Sequence, residues 1–159
     1  MRHNNKRAVA YATNAPDLFT LDGGEQIMKS EKKVFLVVED FEDSRFMMRR
    51  LLEMAGYRVL EASDGEQAVK IALDARPALI LMDLSLPKLD GLSATREIRK
   101  KRGLRKVPIV AVSAHDSPQT RAEALAAGCN EYVTKPIDFD ILNDVLERYV
   151  AKGPTRQTH

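Results

Sequence analysis

Hydrophobic residues fall into short continuous runs, separated by longer stretches in which apolar positions recur with a helical period. The continuous runs, such as VFLVV at 34–38, are typical of strands that are covered on both faces of a parallel sheet. We therefore predict five strands, at residues 34–38, 58–62, 78–83, 108–114 and 131–134.

A helix is predicted after each strand. In the first, at 44–56, several apolar residues recur at helical spacing and are expected to form the buried stripe, and Gly56 is expected to end the helix. The members of this stripe are Phe46, Met47, Leu51, Leu52 and Met54. The second helix, at 63–75, begins with Ser63 and Glu66 at the spacing of a capping box.

Boundary residues also mark the other three helices, which are predicted at 92–101, 117–128 and 138–150. Asp90 and Asp138 are candidate N-caps. The middle helix has Ser117 as its cap, Pro118 in its first turn and Gly128 beyond its end. Strands that alternate with helices predict an α/β fold, a doubly wound parallel sheet with helices on both faces.

Composition supports one globular domain. The chain has 159 residues, 44% of them hydrophobic and 30% charged, a balance that allows a core without disulfides. The regular pattern covers residues 33–150, so the domain is placed there. Residues 1–30 show no sustained period and are expected to be a mostly disordered extension with at most one helical turn, and residues 151–159 are read as a tail.

Charge and cysteine content narrow the classes of function. With 25 basic and 23 acidic side chains the net charge is +2, which does not call for nucleic acid or a membrane as partner. The single cysteine, Cys129, cannot form an internal disulfide and is expected to be a buried apolar residue. No run has the length of a membrane span and no secretory leader is present, so we expect a cytoplasmic protein.

Carboxylates follow two of the predicted strands at the point where each strand ends. Glu39 and Asp40 follow the first strand, and Asp83 ends the third. Because ligands of open α/β sheets bind beyond the carboxyl ends of the strands, we expect these side chains to meet. Two such charges about 4 Å apart repel by roughly 4 kcal/mol at an effective dielectric of about 20. A hard divalent cation with oxygen ligands, Mg²⁺, would remove this repulsion.

Two residues at the same edge of the sheet favour phosphoryl transfer. Lys135 follows the fifth strand and would hold a phosphoryl oxygen, while the hydroxyl of Ser113, at the end of the fourth strand, would donate to another. The chain has neither G-x-x-x-x-G-K-[ST] nor G-x-G-x-x-G, so no nucleotide cradle is indicated. The nucleophile is then a protein side chain, and an aspartate can form an acyl phosphate.

Four motifs, in this order and spacing, resemble those of a known family. They are VVEDFEDS, ILMDLSLPKLDG, VAVSA and YVTKPI. Together they make residues 33–150 similar to a response-regulator receiver domain of two-component signalling, and to chemotaxis receivers among these. The resemblance implies a flavodoxin-like sheet of five parallel strands in the order 2-1-3-4-5.

The resemblance also implies a role for each matched residue. Asp83 matches the phosphorylated aspartate, and Lys135 matches the lysine that contacts the phosphoryl group. Asp40 and the backbone carbonyl of Ser85 match ligands of Mg²⁺, together with Asp83. Glu39 matches a further ligand position where the family more often has Asp, and its longer side chain would act through water.

Five other matched positions surround the acceptor. Ser113 matches the hydroxyl switch, and the backbone of Ala114 would help to bind the phosphoryl group. Tyr132 matches the aromatic switch, and Pro136 matches a proline that follows the lysine through a cis bond. His115, like Ser85, matches a position that tunes the lifetime of the acyl phosphate, although an exposed loop histidine is the simpler interpretation.

The function that this resemblance implies is that of a stand-alone phosphoacceptor, not an enzyme. A histidine kinase or histidine phosphotransfer protein would supply the phosphoryl group to Asp83, and self-phosphorylation would require Mg²⁺ and be reversed by slow autodephosphorylation. The signal would pass to a downstream protein through the fourth helix, fifth strand and fifth helix. Contact with nucleic acid or a membrane is not expected, and the protein would be a monomer or weak dimer. A receiver cut from a larger hybrid kinase would show the same pattern.

Other interpretations remain for the site and for one charged run. Asp40 alone could cap the first helix, and the whole domain could be a pseudo-receiver that binds a partner without being phosphorylated. A phosphatase with an aspartate nucleophile usually has a second aspartate two residues later, where this chain has Ser85. The run RKKRGLRK at 99–106 could bind phosphate or nucleic acid, but a basic helix end followed by a solvated loop is favoured, because no DNA-binding module accompanies it.

Overall fold

The computed structural model forms two compact units. Its described residues are 18–20, 26–28 and 31–150, and side chains are described for 31–150. The units divide the chain into Met1–Lys32 and Lys33–His159. Among these described residues, no helix is both long enough and apolar enough to cross a membrane.

The first unit contains a short antiparallel pair of strands. Strand β1 (Leu18–Thr20) pairs with strand β2 (Gln26–Met28), and Phe19 lies opposite Ile27. The sequence pattern predicts no strand here, because runs of three residues are too short to show a two-residue period. These two segments therefore differ from the expected disordered extension. The other residues of 1–30, and the predicted tail at 151–159, lie outside the described residues.

The second unit is built on one parallel sheet. Its five strands are β3 (Val34–Val38), β4 (Arg58–Ala62), β5 (Leu79–Asp83), β6 (Ile109–Ser113) and β7 (Glu131–Thr134). Their spatial order is β4-β3-β5-β6-β7, which is the predicted order 2-1-3-4-5 when this sheet is counted alone. Val38 pairs with Ala62 on one side and Met82 on the other. The direction of winding reverses between β3 and β5, so a crevice opens beyond the carboxyl ends of these two strands.

Five helices connect the strands. They are α1 (Glu42–Met54), α2 (Gly65–Ala75), α3 (Gly91–Lys100), α4 (Pro118–Ala127) and α5 (Phe139–Tyr149), with a 3₁₀ turn at Arg102–Leu104. The predicted caps Asp90, Ser117 and Asp138 each accept a backbone N–H of the first turn. Gly128 follows α4 in the left-handed region, with φ 115°.

The start of α2 is displaced by one residue from its prediction. Asp64, not Ser63, is the N-cap, and its Oδ1 accepts the N–H of Gln67 at 2.8 Å. The amide oxygen of Gln67 accepts the N–H of Ser63 at 3.1 Å. Gln67, not Glu66, is therefore the side chain that reaches back to the backbone before the helix. Ser and Asp are both good caps, and the pattern alone does not distinguish two that are adjacent.

The buried stripe of α1 was predicted only in part: Leu52 is buried and Leu51 half-buried as expected, but Met48 was not among the predicted members. Met48 and Leu52 are buried, whereas the predicted members Phe46, Met47 and Met54 are 51%, 63% and 79% exposed. Apolar residues occur on both sides of this helix, so the pattern alone does not fix its rotation. The solvent-facing side chains Phe46, Met47 and Met54 are named the α1 apolar face below.

Alternate residues of the strands belong to two separate apolar layers, one on each face of the sheet. Phe35 and Val37 of β3 lie on the side covered by α1 and α5, and Leu36 and Val38 lie on the side covered by α2, α3 and α4. Cys129 belongs to the second layer and is 5% exposed, with its Sγ 3.8 Å from the hydroxyl of Thr95. The prediction of a buried cysteine is therefore confirmed, and this burial raises the pKa of the Cys129 thiol.

Candidate functional site

Three carboxylates meet in the crevice between the central strands. Glu39 and Asp40 directly follow β3, and Asp83 is the last residue of β5. One carboxylate oxygen from each lies within 4.8 Å of the other two. Glu39 is 1% and Asp83 is 4% exposed, while Asp40 is exposed to solvent. The convergence predicted from strand order is thus present.

Lys135 lies between the two buried carboxylates. Its Nζ is 2.6 Å from Glu39 Oε2 and 2.8 Å from Asp83 Oδ2. Burial alone lowers the pKa of the Lys135 ammonium, but the hydrogen bonds with Asp83 and Glu39 raise it, and the net shift is upward. Burial raises the pKa of the Glu39 carboxyl, and the nearby Asp83 adds to this, against the lowering by Lys135. One cation therefore only partly compensates the negative charge of the site.

The backbone after β5 orients the Asp83 carboxylate. The N–H of Ser85 donates to Asp83 Oδ1 at 2.9 Å, while Oδ2 faces Lys135. The acceptor loop, residues 84–90, then turns back, and the N–H of Gly91 donates to the carbonyl of Leu84 at 3.1 Å. A Cβ on Gly91 would lie 2.1 Å from the carbonyl oxygen of Asp83, so the close return of the chain requires glycine there.

The acceptor loop is also held from α2. A Cβ on Gly65 would lie 1.9 Å from the carbonyl oxygen of Leu89, so the first turn of α2 packs directly on the loop backbone. Lys88 adopts a left-handed φ of 64°, and its Nζ lies 3.5 Å from the buried carboxylate of Asp64. These contacts fix the loop that carries Ser85.

Arg45 is a site residue that the sequence motifs did not identify. Its Nη1 donates to the carbonyls of Glu39 at 2.9 Å and Asp40 at 3.4 Å, and its Nε lies 3.4 Å from Glu61. The N-cap position of α1 is Phe41, without a side-chain cap, so Asp40 does not have the capping role that was its structural alternative. The sequence could have indicated Arg45 only through its position, because it lies near the start of the predicted first helix, a few residues after Glu39 and Asp40.

The remaining predicted residues lie on the next two strands. Ser113 is 1% exposed, and its Oγ accepts the N–H of His115 at 3.1 Å. The hydroxyl of half-buried Tyr132 donates to the carbonyl of His115. Within residues 31–150, Ser113 forms no hydrogen bond with Asp83, and the exposed imidazole of His115 forms none at all. His115 thus links Ser113 and Tyr132 through its backbone.

A charged pair covers the Tyr132 ring. The guanidinium of Arg121, on α4, lies 4.9 Å from the ring centroid, and its Nε is 2.7 Å from Asp116. The strand that holds Tyr132 leads to Lys135, whose N–H donates to the carbonyl of Ser113 at 2.8 Å. The bond between Lys135 and Pro136 is cis, as the resemblance implied.

The donor set fits Mg²⁺. Carboxylate oxygens are hard ligands of the kind that this ion takes together with water. Asp40 is exposed, whereas Glu39 is already bound by Lys135 through Oε2 and by the N–H of Phe41 through Oε1, at 3.2 Å. Both oxygens of Asp83 also accept hydrogen bonds, from Ser85 and Lys135. The exposed Asp40 is therefore the carboxylate that would bind an ion most readily.

Comparisons with known proteins agree with this geometry. Residues 35–147 match the model of the response regulator receiver domain. The polar-differentiation response regulator DivK of Brucella anthropi is 32% identical over 119 residues, which cover 75% of this chain and 97% of that protein. The CAI-1 autoinducer sensor kinase/phosphatase CqsS of Vibrio cholerae is 34% identical over 126 residues, which cover 79% of this chain but 18% of that protein.

A solved structure is similar in both sequence and fold. It is the receiver domain of sensor histidine kinase PA1611 from Pseudomonas aeruginosa PAO1, with a magnesium ion coordinated in its active site cleft. It is 41% identical, covers 75% of this chain and 98% of that domain, and has a TM-score of 0.71. By sequence, strand order and the acidic crevice, the chain belongs to the response regulator receiver domain family of two-component signalling.

Proposed function

We propose that the protein is a cytoplasmic phosphoacceptor, in which Asp83 takes a phosphoryl group from a phosphohistidine. The observation that carries the proposal is the environment of this carboxylate. Asp83 ends a buried strand, is oriented by Ser85 and Lys135, and lies within 4.8 Å of ligand oxygens of Glu39 and Asp40. A buried carboxylate with these neighbours is arranged for chemistry rather than for a structural ion pair alone.

The transfer is an in-line displacement at phosphorus. A carboxylate oxygen of Asp83 forms the new P–O bond while the P–N bond to the donor imidazole breaks. The electron pair of that bond stays on the imidazole nitrogen. Lys135, already hydrogen-bonded to Asp83 Oδ2, would bind an oxygen of the transferred group and stabilise its charge.

The carboxylates would contribute the binding site of a metal ion. Asp40, Asp83 and the carbonyl of Ser85 are the proposed direct ligands of Mg²⁺, and Glu39 would act through water. Bound there, Mg²⁺ supplies positive charge that stabilises the oxygens of the transferring phosphoryl group. In hydrolysis of the acyl phosphate, Ser85 and His115 are the proposed residues that set its lifetime. Ser85 is exposed and donates its N–H to Asp83, and His115 is exposed just beyond the carboxyl end of β6, the strand next to β5.

Two surfaces are proposed for the partners. A histidine kinase or phosphotransfer protein must reach Asp83 from the mouth of the crevice, and Phe41, 61% exposed and next to Asp40, offers apolar area there. The α1 apolar face offers further exposed apolar area on the helix that follows Phe41. The downstream protein would bind α4, β7 and α5. Ser113 at the end of β6, with the backbone of Ala114, would respond to the phosphoryl group, and Tyr132 on β7 would pass the change to this surface.

Intact mass provides the test of the acceptor. With Mg²⁺ and a small donor such as acetyl phosphate, the protein should gain the mass of one phosphoryl group, and Asp83→Asn should abolish the gain. Asp90→Asn is the matched control, because it makes the same substitution at the end of the same loop and keeps a good N-cap. Equal labelling of the Asp83→Asn variant would contradict the assignment. Absence of labelling in the parent protein would favour a pseudo-receiver.

Amide NMR provides the test of the switch. Beryllofluoride with Mg²⁺, a phosphoryl mimic, should shift resonances from Asp83 to residues 113–120 and 131–136 in the parent. In Lys135→Ala the shifts should stay near Asp83, because a ligand moves an equilibrium only by its differential contacts with the two states. Shifts of parental extent in that variant would remove Lys135 from the relay.

A further inference from the structure

A dense group of cations lies at the edge of the sheet that the proposed chemistry does not use. Residues 99–106, RKKRGLRK, contain six basic residues and no acidic one. Helix α3 starts beyond the carboxyl end of β5 and leads back to the start of β6. The segment that joins them therefore lies at the amino ends of the strands, opposite Asp83.

Arg99 differs from the other cations because its guanidinium is bound by the protein itself. It is half-buried, and its hydrogen bonds reach oxygens of three neighbouring segments. They go to Leu104 O at 2.9 Å, Val107 O at 2.7 Å, Gly128 O at 2.8 and 3.0 Å, and Asn130 Oδ1 at 2.9 Å. Leu104 is fully buried beneath this turn. The segment is therefore held in one conformation, and its other side chains are presented from a fixed backbone.

In the described part of the chain, residues 31–150, most of the cations around this turn form no ion pair. Lys100 pairs with Glu97 at 2.8 Å. The guanidinium carbon of Arg76, at the end of α2, lies 3.4 Å from where a Cβ on Gly103 would be, so Arg76 joins the group. Within residues 31–150, no ion pair is formed by the five residues that we name the basic edge. They are Arg76, Lys101, Arg102, Arg105 and Lys106.

We propose that the basic edge binds a carboxylate-rich, acidic segment of a partner protein. Like charges held close together repel one another and create a positive potential that attracts a polyanion. Three of the five are arginines, whose planar guanidinium groups match carboxylates. The fixed turn reduces the entropy that is lost on binding, because its backbone is already ordered.

A polypeptide fits this edge better than a nucleic acid. The exposed phenylalanines of residues 31–150 are Phe41, Phe46 and Phe139, and they lie on or next to α1 and α5, on the other side of the sheet from α2 and α3. No exposed phenylalanine of these residues thus offers bases a stacking surface at the basic edge. Tyr149, which reaches Asn130 at this end of the sheet, is half-buried with its hydroxyl bound to Asn130 and Glu131. Its five cations are also fewer than the roughly 6–10 phosphate contacts of a strong DNA-binding protein.

Because the basic edge lies at the opposite end of the strands from Asp83, a partner could bind there without blocking the proposed phosphorylation site. An acidic partner that is bound at the amino ends of the strands leaves the crevice at the carboxyl ends open. The protein could then be tethered at one edge while Asp83 accepts and loses its phosphoryl group at the other.

Fluorescence anisotropy with labelled peptides tests the proposal on the full-length chain. The probe is a peptide of alternating glutamate and glycine, and its control has glutamine in place of glutamate. The edge variant carries Arg102→Glu, Arg105→Glu and Lys106→Glu. The matched variant carries Arg50→Glu, Lys70→Glu and Arg96→Glu, the same change of charge at exposed positions outside the edge.

The parent and the matched variant should bind the glutamate peptide, and the edge variant should bind it at least about tenfold more weakly. Affinity should fall as salt is added. Equal binding by the two variants, equal binding of the glutamine peptide, or tighter binding of labelled RNA or duplex DNA would overturn the proposal. If the edge variant does not fold, Arg105→Gln with Lys106→Gln should give an intermediate loss, and no loss there would overturn it. Peptide binding is measured without phosphorylation, so failure of Asp83 to label would not change this result.

Discussion

Lys135 and Arg99 are half-buried cations at opposite edges of the same sheet, and their partners differ in kind. Lys135 Nζ faces the carboxylates of Glu39 and Asp83 at 2.6 and 2.8 Å. Arg99 faces neutral oxygens, the carbonyls of Leu104, Val107 and Gly128 and the side chain of Asn130. At Lys135, opposite charges are brought close together in a buried site. At Arg99, a positive charge supplies hydrogen bonds to backbone carbonyls.

This difference separates a reactive cation from a structural one. The carboxylates at Lys135 carry more negative charge than one lysine neutralises, so they can still take a metal ion and a phosphoryl group. The carbonyls at Arg99 would lose hydrogen bonds if the guanidinium moved to another ligand. Burial is similar at the two sites, so the identity of the partners is what distinguishes them.

The largest change in the free energy of unfolding is expected from a glycine substitution at the carboxyl edge, compared with one at the amino edge. Gly65→Ala places a Cβ 1.9 Å from the carbonyl oxygen of Leu89, and we expect a loss of about 3 kcal/mol in the free energy of unfolding, with slower labelling of Asp83. Gly103→Ala, at the amino edge, places its Cβ 3.4 Å from the flexible side chain of Arg76 and should change stability by about 0.5 kcal/mol or less. Urea unfolding measures both. Equal losses of stability in the two variants would mean that the acceptor loop shifts to accommodate a Cβ as easily as the basic edge does.

Removing the Arg99 guanidinium should give the next effect. Arg99→Ala leaves several carbonyls without this donor, and we expect a loss of about 2 kcal/mol in the free energy of unfolding. Arg99→Lys keeps the charge but not the planar group, so it should recover only part of the loss. Arg96→Ala, at an exposed position of the same helix, is the control and should stay within about 0.5 kcal/mol of the parent. Full recovery by lysine would mean that charge alone matters at this edge.

Metal affinity tests the carboxyl edge directly. Asp40→Ala should weaken Mg²⁺ binding about tenfold more than Glu39→Ala, because Lys135 and the N–H of Phe41 already bind Glu39. Calorimetric titration without a phosphodonor measures both constants. If Glu39→Ala is the more damaging, Glu39 is a direct ligand.

The smallest effect is expected from the charge of Asp90. Its hydrogen bond from the Ser93 N–H holds the pKa of this carboxyl below its usual value. The stabilising contribution is therefore present above the usual pKa and is lost as pH falls through the lowered one. Solvent screens this exposed group, so Asp90→Asn should change stability at pH 7 by about 0.5 kcal/mol or less and reduce its loss towards about pH 3. Urea unfolding of the parent and the variant at pH 7 and at about pH 3 measures both effects. A larger loss of stability in acid for the variant than for the parent would contradict the prediction.

Much of the fold followed from the sequence because three of the five sheet strands, β3, β5 and β6, are almost entirely apolar runs, and strand order then placed Glu39, Asp40 and Asp83 together. The rotation of α1 followed only in part, because both of its sides carry apolar residues. Leu52 is buried as predicted, but tertiary packing buried Met48 with it instead of the α1 apolar face. The contacts of Arg99 also could not be predicted, since Gly128 and Asn130 are 29 and 31 residues away in the chain. Local patterns carry no information about such pairs.

Cys129 has a practical consequence for measuring the switch. It is the only cysteine of the chain, lies 5% exposed in the core, and has a pKa that burial raises. Alkylating reagents react with thiolates, so this thiol should react slowly in the folded protein. A cysteine introduced on the exposed side of α4 could then be coupled to a fluorophore or spin label while the native thiol stays in place, and movement of that helix could be followed in solution.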